Sequence, residues 1–238
     1  MIRINEMFKK LYKISLVVLL AIFLLYVFNE IHDLASKSYL SEHYISKGVQ
    51  ETGAINLVTS VLYDYRSFDT LGEATVILTA SAILAFLVPL RKVAMHGTKF
   101  LIIVHQTMIF IVPYLAVLGS YLILFGHLNP GGGFVGGVVL ALIPIVMTIT
   151  YCIEFSEYKF KPNIKTLLED LGSICFIILG LFGIVTGSNF LASGQSNLGL
   201  GNPGELISGG LILCLNIIIG IKVGAGMAKI FNSLIKGE

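Results

Sequence analysis

The stretch that decides how this chain folds is GHLNPGGGFVGG, residues 126–137, running directly into VVLALIPIVMTITYCI, residues 138–153. From Phe134 to Ile153 no side chain is charged. A helix of roughly 20 such residues, rising about 1.5 Å per residue, crosses the roughly 30 Å hydrocarbon layer of a bilayer. Working outward in both directions, comparable runs occur at Ile14–Ile31, Leu71–Leu90, Leu101–Phe125, Thr166–Phe190 and Glu205–Ile230. The chain therefore reads as an all-α, polytopic membrane protein with six transmembrane helices. Composition agrees: 55% of the 238 residues are hydrophobic and only 13% are charged. A soluble domain needs about a quarter of its residues charged to cover its surface, so lipid or neighbouring subunits cover much of this one.

Charge placement sets an expected orientation. With both termini inside, every one of the 16 Lys and Arg residues except Lys37, Lys47 and Arg66 falls on the inner side, as the positive-inside bias demands. The basic start at Arg3, Lys9, Lys10 and Lys13 precedes a long apolar run with no small-residue cleavage site, so it reads as a signal-anchor helix. The net charge of +2 points to no nucleic acid. Cys152, Cys175 and Cys214 sit in apolar runs without Cys-x-x-Cys spacing, which suggests neither a disulfide framework nor a metal centre.

The outer segment from Glu30 to Arg66 is polar and is expected to order against a partner, with Gly53–Leu62 as a short interfacial helix. A composition shift at the basic loop Arg91–Lys99 divides the chain into a two-helix segment, 1–96, and a four-helix domain, 97–238. The second of these contains a repeat. Residues 126–137 align without gaps with GLGNPGELISGG, residues 199–210, and eight of 17 positions from Gly126 and Gly199 onward are identical. In each copy the pattern predicts an Asn N-cap, Asn129 or Asn202, followed by Pro130 or Pro203 at the first helical position. Both helices descend from the outside, so the repeat is parallel. At the third descending helix, Thr70 and Glu73 fit a capping box, with Gly72 beside them.

The Gly126–Gly137 segment resembles the core of the MnhB (MrpB) subunit of multisubunit Na⁺/H⁺ antiporters, a Gly-His-x-x-Pro-Gly-Gly-Gly-Phe motif; Gly204–Gly210 and Gly220–Gly226 look like the same family's closing helix. Upstream, Arg66-Ser-Phe-Asp-Thr-Leu-Gly-Glu73 is similar to the signature at the C-terminal end of the large antiporter subunit. In membrane-bound hydrogenases that segment is a separate small subunit. The resemblance implies a subunit of an Mrp-type ion-translocating complex, with the Na⁺/H⁺ module of a membrane-bound hydrogenase or related redox complex favoured over a stand-alone antiporter or a scaffold. It implies partners among other Mrp-type membrane subunits and hydrogenase or related redox subunits. It also implies no cofactor on this chain, with Na⁺ or H⁺ as the transported ion, and no catalysis by the chain itself.

Ionisable groups at membrane depth are costly and point to function. Asp69, Glu73, His105, His127, Glu205 and Lys222 are the ion-path candidates. Each has a structural alternative. Asp69 and Glu73 form a two-carboxylate mouth, or Asp69 pairs with Arg66; Glu73 and Glu205 cap helices. His127 relays protons, or locks its loop. His105 faces headgroups or a neighbour, and Lys222 is either a neutralisable charge or a snorkelling one. Glu169 and Asp170 read as cap and dipole residues. Gly131, Gly132, Gly133, Gly136, Gly137, Gly209 and Gly210 read as close-packing surfaces against partner helices.

Overall fold

The computed structural model describes residues 2–33, 39–88, 102–186, 189–192 and 199–237. Nine α-helices are seen among them: α1 (Ile2–Asp33), α2 (Tyr39–Thr52), α3 (Leu57–Ser60), α4 (Ser67–Leu87), α5 (Ile102–Leu124), α6 (Gly133–Tyr151), α7 (Ile153–Lys159), α8 (Pro162–Val185) and α9 (Leu211–Gly237). A π-helical turn, Val61–Tyr65, links α3 to α4. Six of the helices, α1, α4, α5, α6, α8 and α9, are long and apolar enough to cross a membrane. The loop Arg91–Lys99, with the proposed boundary at 96/97, lies outside the described residues, as does Lys37.

Residues 1–42 form a unit of their own. Its helix α1 is strongly apolar between Tyr12 and Asn29, and no residue of that stretch is buried, the pattern of a helix bathed in lipid or in partner helices.

In the second unit, residues 43–238, α9 is the central helix and packs against α6, α8, α4 and α5. Lipid is as apolar as leucine, so helices in a membrane associate through close van der Waals fit, which small residues permit. Glycine supplies that fit here. A Cβ on Gly133 would lie 2.4 Å from the carbonyl oxygen of Asn216, and one on Gly137 would lie 2.6 Å from that of Gly220. Gly136 meets the Gly119 carbonyl on α5 in the same way. The surfaces these three glycines pack against are therefore helices of this chain. Gly209 and Gly210 do something different: both have positive φ, at 79° and 54°, and form the turn into α9.

Several expected helix starts are corrected. Asn129 and Asn202 do not cap helices: α6 starts at Gly133 and α9 at Leu211. The Asn129 amide instead reaches the Tyr121 hydroxyl, and that of Asn202 bonds Glu205. The Gly133 N–H at the start of α6 is bonded by Asn216 Oδ1 from α9 at 2.9 Å, a cap supplied from across the bundle. The Thr70–Glu73 capping box does not form either, because α4 begins at Ser67. Thr70 lies inside the helix, and its hydroxyl donates to the Leu62 carbonyl at 2.6 Å beside the π turn. Asp69, rather than Glu73, occupies the first turn. The outer segment also folds further than expected. Glu51 near the end of α2 accepts from Tyr65 and contacts His43 at 3.0 Å.

Close backbone approach should make these glycines unequal. Gly137→Ala is expected to cost about 1–3 kcal/mol through overpacking. Gly72→Ala, with nothing within 4 Å of the new methyl, should gain up to roughly 1 kcal/mol from helix propensity. Thermal unfolding in detergent separates the two, and equal shifts would contradict the packing described.

Candidate functional site

Two polar assemblies interrupt the apolar bundle. The first is a seam between α4, α8 and α9. On α9, Lys222, Gly226 and Lys229 fall at i, i+4 and i+7 and share one face of the helix. Lys222 is 1% exposed, and its Nζ donates to the Ala74 carbonyl of α4 at 2.5 Å. Its stem is accommodated by Gly172 of α8, where a Cβ would come within 2.8 Å of the Lys222 Cβ. The ammonium does not snorkel out. Among the described residues no carboxylate lies within ion-pair distance of it, although the charges of Glu169 and Asp170 reach it. A buried ammonium without a partner costs several kcal/mol.

Glu169 is fully buried. One carboxylate oxygen accepts from Ser81 of α4 at 2.5 Å, and the other is 3.1 Å from Lys229 Nζ. Gly226 leaves the room this requires, since a Cβ there would lie 2.8 Å from Glu169 Oε1. The cap-and-dipole reading of Glu169 fails for a simple reason. Helix α8 starts four residues earlier than its apolar run, with Pro162 in its first turn, so Glu169 is two turns inside. In sequence Glu169 sits beside Asp170 and Lys165, and Lys229 between Lys222 and Lys236, so nothing local singles out the pair.

The second assembly lies where the two repeat copies meet. The Asn56 amide donates to the carbonyls of Gly126 at 2.8 Å and Asn129 at 2.9 Å, while the Asn56 N–H reaches the His127 carbonyl at 3.0 Å. Thr59 adds a further bond to Gly126 at 2.7 Å. Residues 56–59 thus clamp the first motif. Gly53, with φ of +71°, presses on the second at the Gly209 N–H and Leu200 carbonyl. His127 is fully buried in this crown, and among the described residues neither ring nitrogen has a hydrogen-bond partner of good geometry. Burial pushes its pKa below the ordinary value, against smaller opposing effects from the Glu205 and Leu206 backbone. Tyr63 is buried beside Gly133, and desolvation raises its phenol pKa, so it stays neutral.

The remaining candidates lie outside both assemblies. Asp69 pairs with Arg66 at 2.5 Å, both well exposed. Glu73 is exposed on α4, and Glu205 is exposed and bonded to Asn202. His105 is half-buried edge-on to Tyr151 at 4.9 Å. The Asp69–Glu73 mouth is therefore not directed into the bundle of this chain. Among the described residues no group of three His, Cys, Asp or Glu side chains is placed to hold a metal ion.

The comparisons with known proteins fit this architecture. A family model described as a domain related to the MnhB subunit of Na⁺/H⁺ antiporter matches residues 103–229, and the model named MbhE, for one of the MBH subunits, matches residues 9–97. The chain is 29% identical over 218 residues to the uncharacterized protein MJ1307 of Methanocaldococcus jannaschii, covering 79% of this chain and 82% of that protein. Among solved structures it is similar to a chain of the membrane-bound sulfane sulfur reductase, an archaeal respiratory membrane complex. There the TM-score is 0.73 and the identity 30%, covering 96% of this chain and all of that one. It shares its fold with part of the Mrp complex from Dietzia sp. DQ12-45-1b, at a TM-score of 0.63 and 20% identity, over 92% of this chain and 26% of that one.

Burial of a neutral His127 has a pH signature. Its folded pKa lies below the ordinary 6.5, so the unfolded chain takes up a proton first and stability falls as pH drops below that value. Thermal stability should decline between about pH 7 and 5 in the parent protein, and His127→Leu should remove part of that slope. An unchanged slope would contradict a buried neutral imidazole.

Proposed function

The chain belongs to the family of the domain related to the MnhB subunit of Na⁺/H⁺ antiporters, and from that premise we propose that it handles protons within the ion-translocating membrane arm of a redox-driven respiratory complex. It is a multi-pass membrane subunit related both to Mrp antiporters and to membrane-bound respiratory complexes. The whole-chain similarity to the sulfane sulfur reductase chain, together with the match to the MbhE family, favours a redox-driven complex over a stand-alone antiporter. In this reading other subunits carry the redox centres. This one binds no cofactor, catalyses nothing alone, and keeps both termini inside the membrane-bounded compartment.

The observation that carries the proposal is the seam: Lys222 and Glu169, both buried between α4, α8 and α9, with the partly buried Lys229 paired to Glu169. Packing alone does not call for such groups, because an apolar side chain of the same volume is often more stabilising at a buried charge. Amine, carboxyl and hydroxyl groups in sequence suit a proton better than a hard cation, which seeks several oxygen ligands at once. Lys222 to Lys229 spans about 10 Å along α9, a substantial part of the membrane's depth.

A scaffold role is the alternative that must be separated, since large apolar side chains such as Phe86, Phe110 and Val185 face outward for lipid or partners. Lys222→Met removes the unpaired charge and keeps the volume. In liposomes containing the whole complex at equal abundance, this variant should assemble normally yet lose at least roughly tenfold of redox-driven proton uptake. Full uptake with normal assembly would leave only the scaffold.

A further inference from the structure

Near the C-terminal end of α9 a cavity of about 160 Å³ opens between α4, α8 and α9. Its polar lining is biased to one kind of group. Lys165, Lys229 and Lys236 supply ammoniums, Asn232 an amide and Thr166 and Ser233 hydroxyls, against a single carboxylate, Glu157. Lys165 is only 5% exposed and its Nζ has no hydrogen-bond partner among the described residues; the Asn232 Nδ2, in a side chain 3% exposed, is likewise unbonded. Both orphaned atoms are donors. Buried donors without acceptors are costly, and two in one cavity call for an acceptor-rich occupant.

The charge balance agrees. Lys229 is matched by Glu169 and Lys236 by Glu157 at 2.6 Å, which leaves Lys165 unmatched among the described residues. The first turn of α8 also faces the cavity through Pro162, Lys165 and Thr166, and its N-cap residue, Lys161, makes no side-chain cap. The N-terminal end of this 24-residue helix, with its partial positive charge, therefore borders the same space. In sequence, residues 89–101, which follow α4, carry Arg91, Lys92 and Lys99 and no acid. One net negative charge with several oxygens is what this site lacks.

Ala85 and Val88 add an apolar wall. Lys165 is also shared with a second, nearly wholly apolar cavity of about 240 Å³ lined by Leu140, Ile143, Phe160 and Leu168. A monoanionic, oxygen-rich head joined to hydrocarbon is a phospholipid. We propose that this cavity binds the phosphodiester headgroup of an anionic phospholipid, with Lys165 and Asn232 as its donors. Basic pockets between membrane helices are a recognised setting for such headgroups.

The site is tested by native mass spectrometry on the intact detergent-purified complex, offered phosphatidylglycerol, phosphatidylcholine or inorganic phosphate. Phosphatidylglycerol should be retained over phosphatidylcholine, and retention should fall roughly five- to tenfold in Lys165→Met and in Lys236→Gln. Lys236 is nearer the rim, so its variant decides the matter if Lys165→Met does not assemble. Equal retention of the two lipids, or unchanged retention in the variants, overturns the proposal. Displacement of the lipid by inorganic phosphate also overturns it, because the site would then serve the free ion.

Discussion

The ion pair between Glu169 and Lys229 is the constraint around which the second unit is arranged. Taking either charge alone out of water would cost several kcal/mol, more than most single contacts return. Together, with Ser81 on the second carboxylate oxygen, they satisfy one another while tying α8, α9 and α4 at one level. The pair explains smaller residues around it. Gly226 is small because the carboxylate needs its space, and Gly172 because the stem of Lys222 does. Lys222 then stands as the charge left without a carboxylate among the described residues, held by a backbone carbonyl that is already part of a helix.

A second constraint works at the opposite end of the same helices. The two copies of the Gly-x-x-Asn-Pro-Gly repeat share their pattern but not their structure. One turns into α6 with paired glycines inside the helix; the other remains a turn and hands over to α9 at Leu211. They are joined by residues 53–60, whose amide and hydroxyl groups bond the backbone of the first copy while Gly53 rests on the second. His127 is enclosed where they meet. The segment that sequence composition reserves for a partner thus does its first work within the chain.

Much of this was legible in the sequence, and the reasons for the rest are physical. Membrane spans announce themselves through long uncharged runs, so all six helices fall where hydropathy puts them. Lys222 stands out because a charge at mid-helix is expensive wherever it points. Helix starts were less legible. Asn129, Asn202 and Thr70 carry the residue types of N-caps, but their side chains bond to Tyr121, Glu205 and Leu62 instead, and the cap on α6 comes from Asn216, 83 residues away. Local rules assign Glu169, a carboxylate near a helix start, to the helix dipole. Only the tertiary arrangement shows Lys229 and Ser81 waiting for it.

The central claim is that the seam's charges serve ion movement and not merely cohesion. A double-mutant cycle on Glu169→Gln and Lys229→Met, read for both stability and redox-driven proton uptake in the whole complex, separates these roles. Each single variant leaves a buried group without its partner and should destabilise by roughly 3–5 kcal/mol, whereas the double variant removes both charges and should recover most of that loss. Proton uptake should stay lost in the double variant even where stability returns. Recovery of uptake in step with stability would contradict the account.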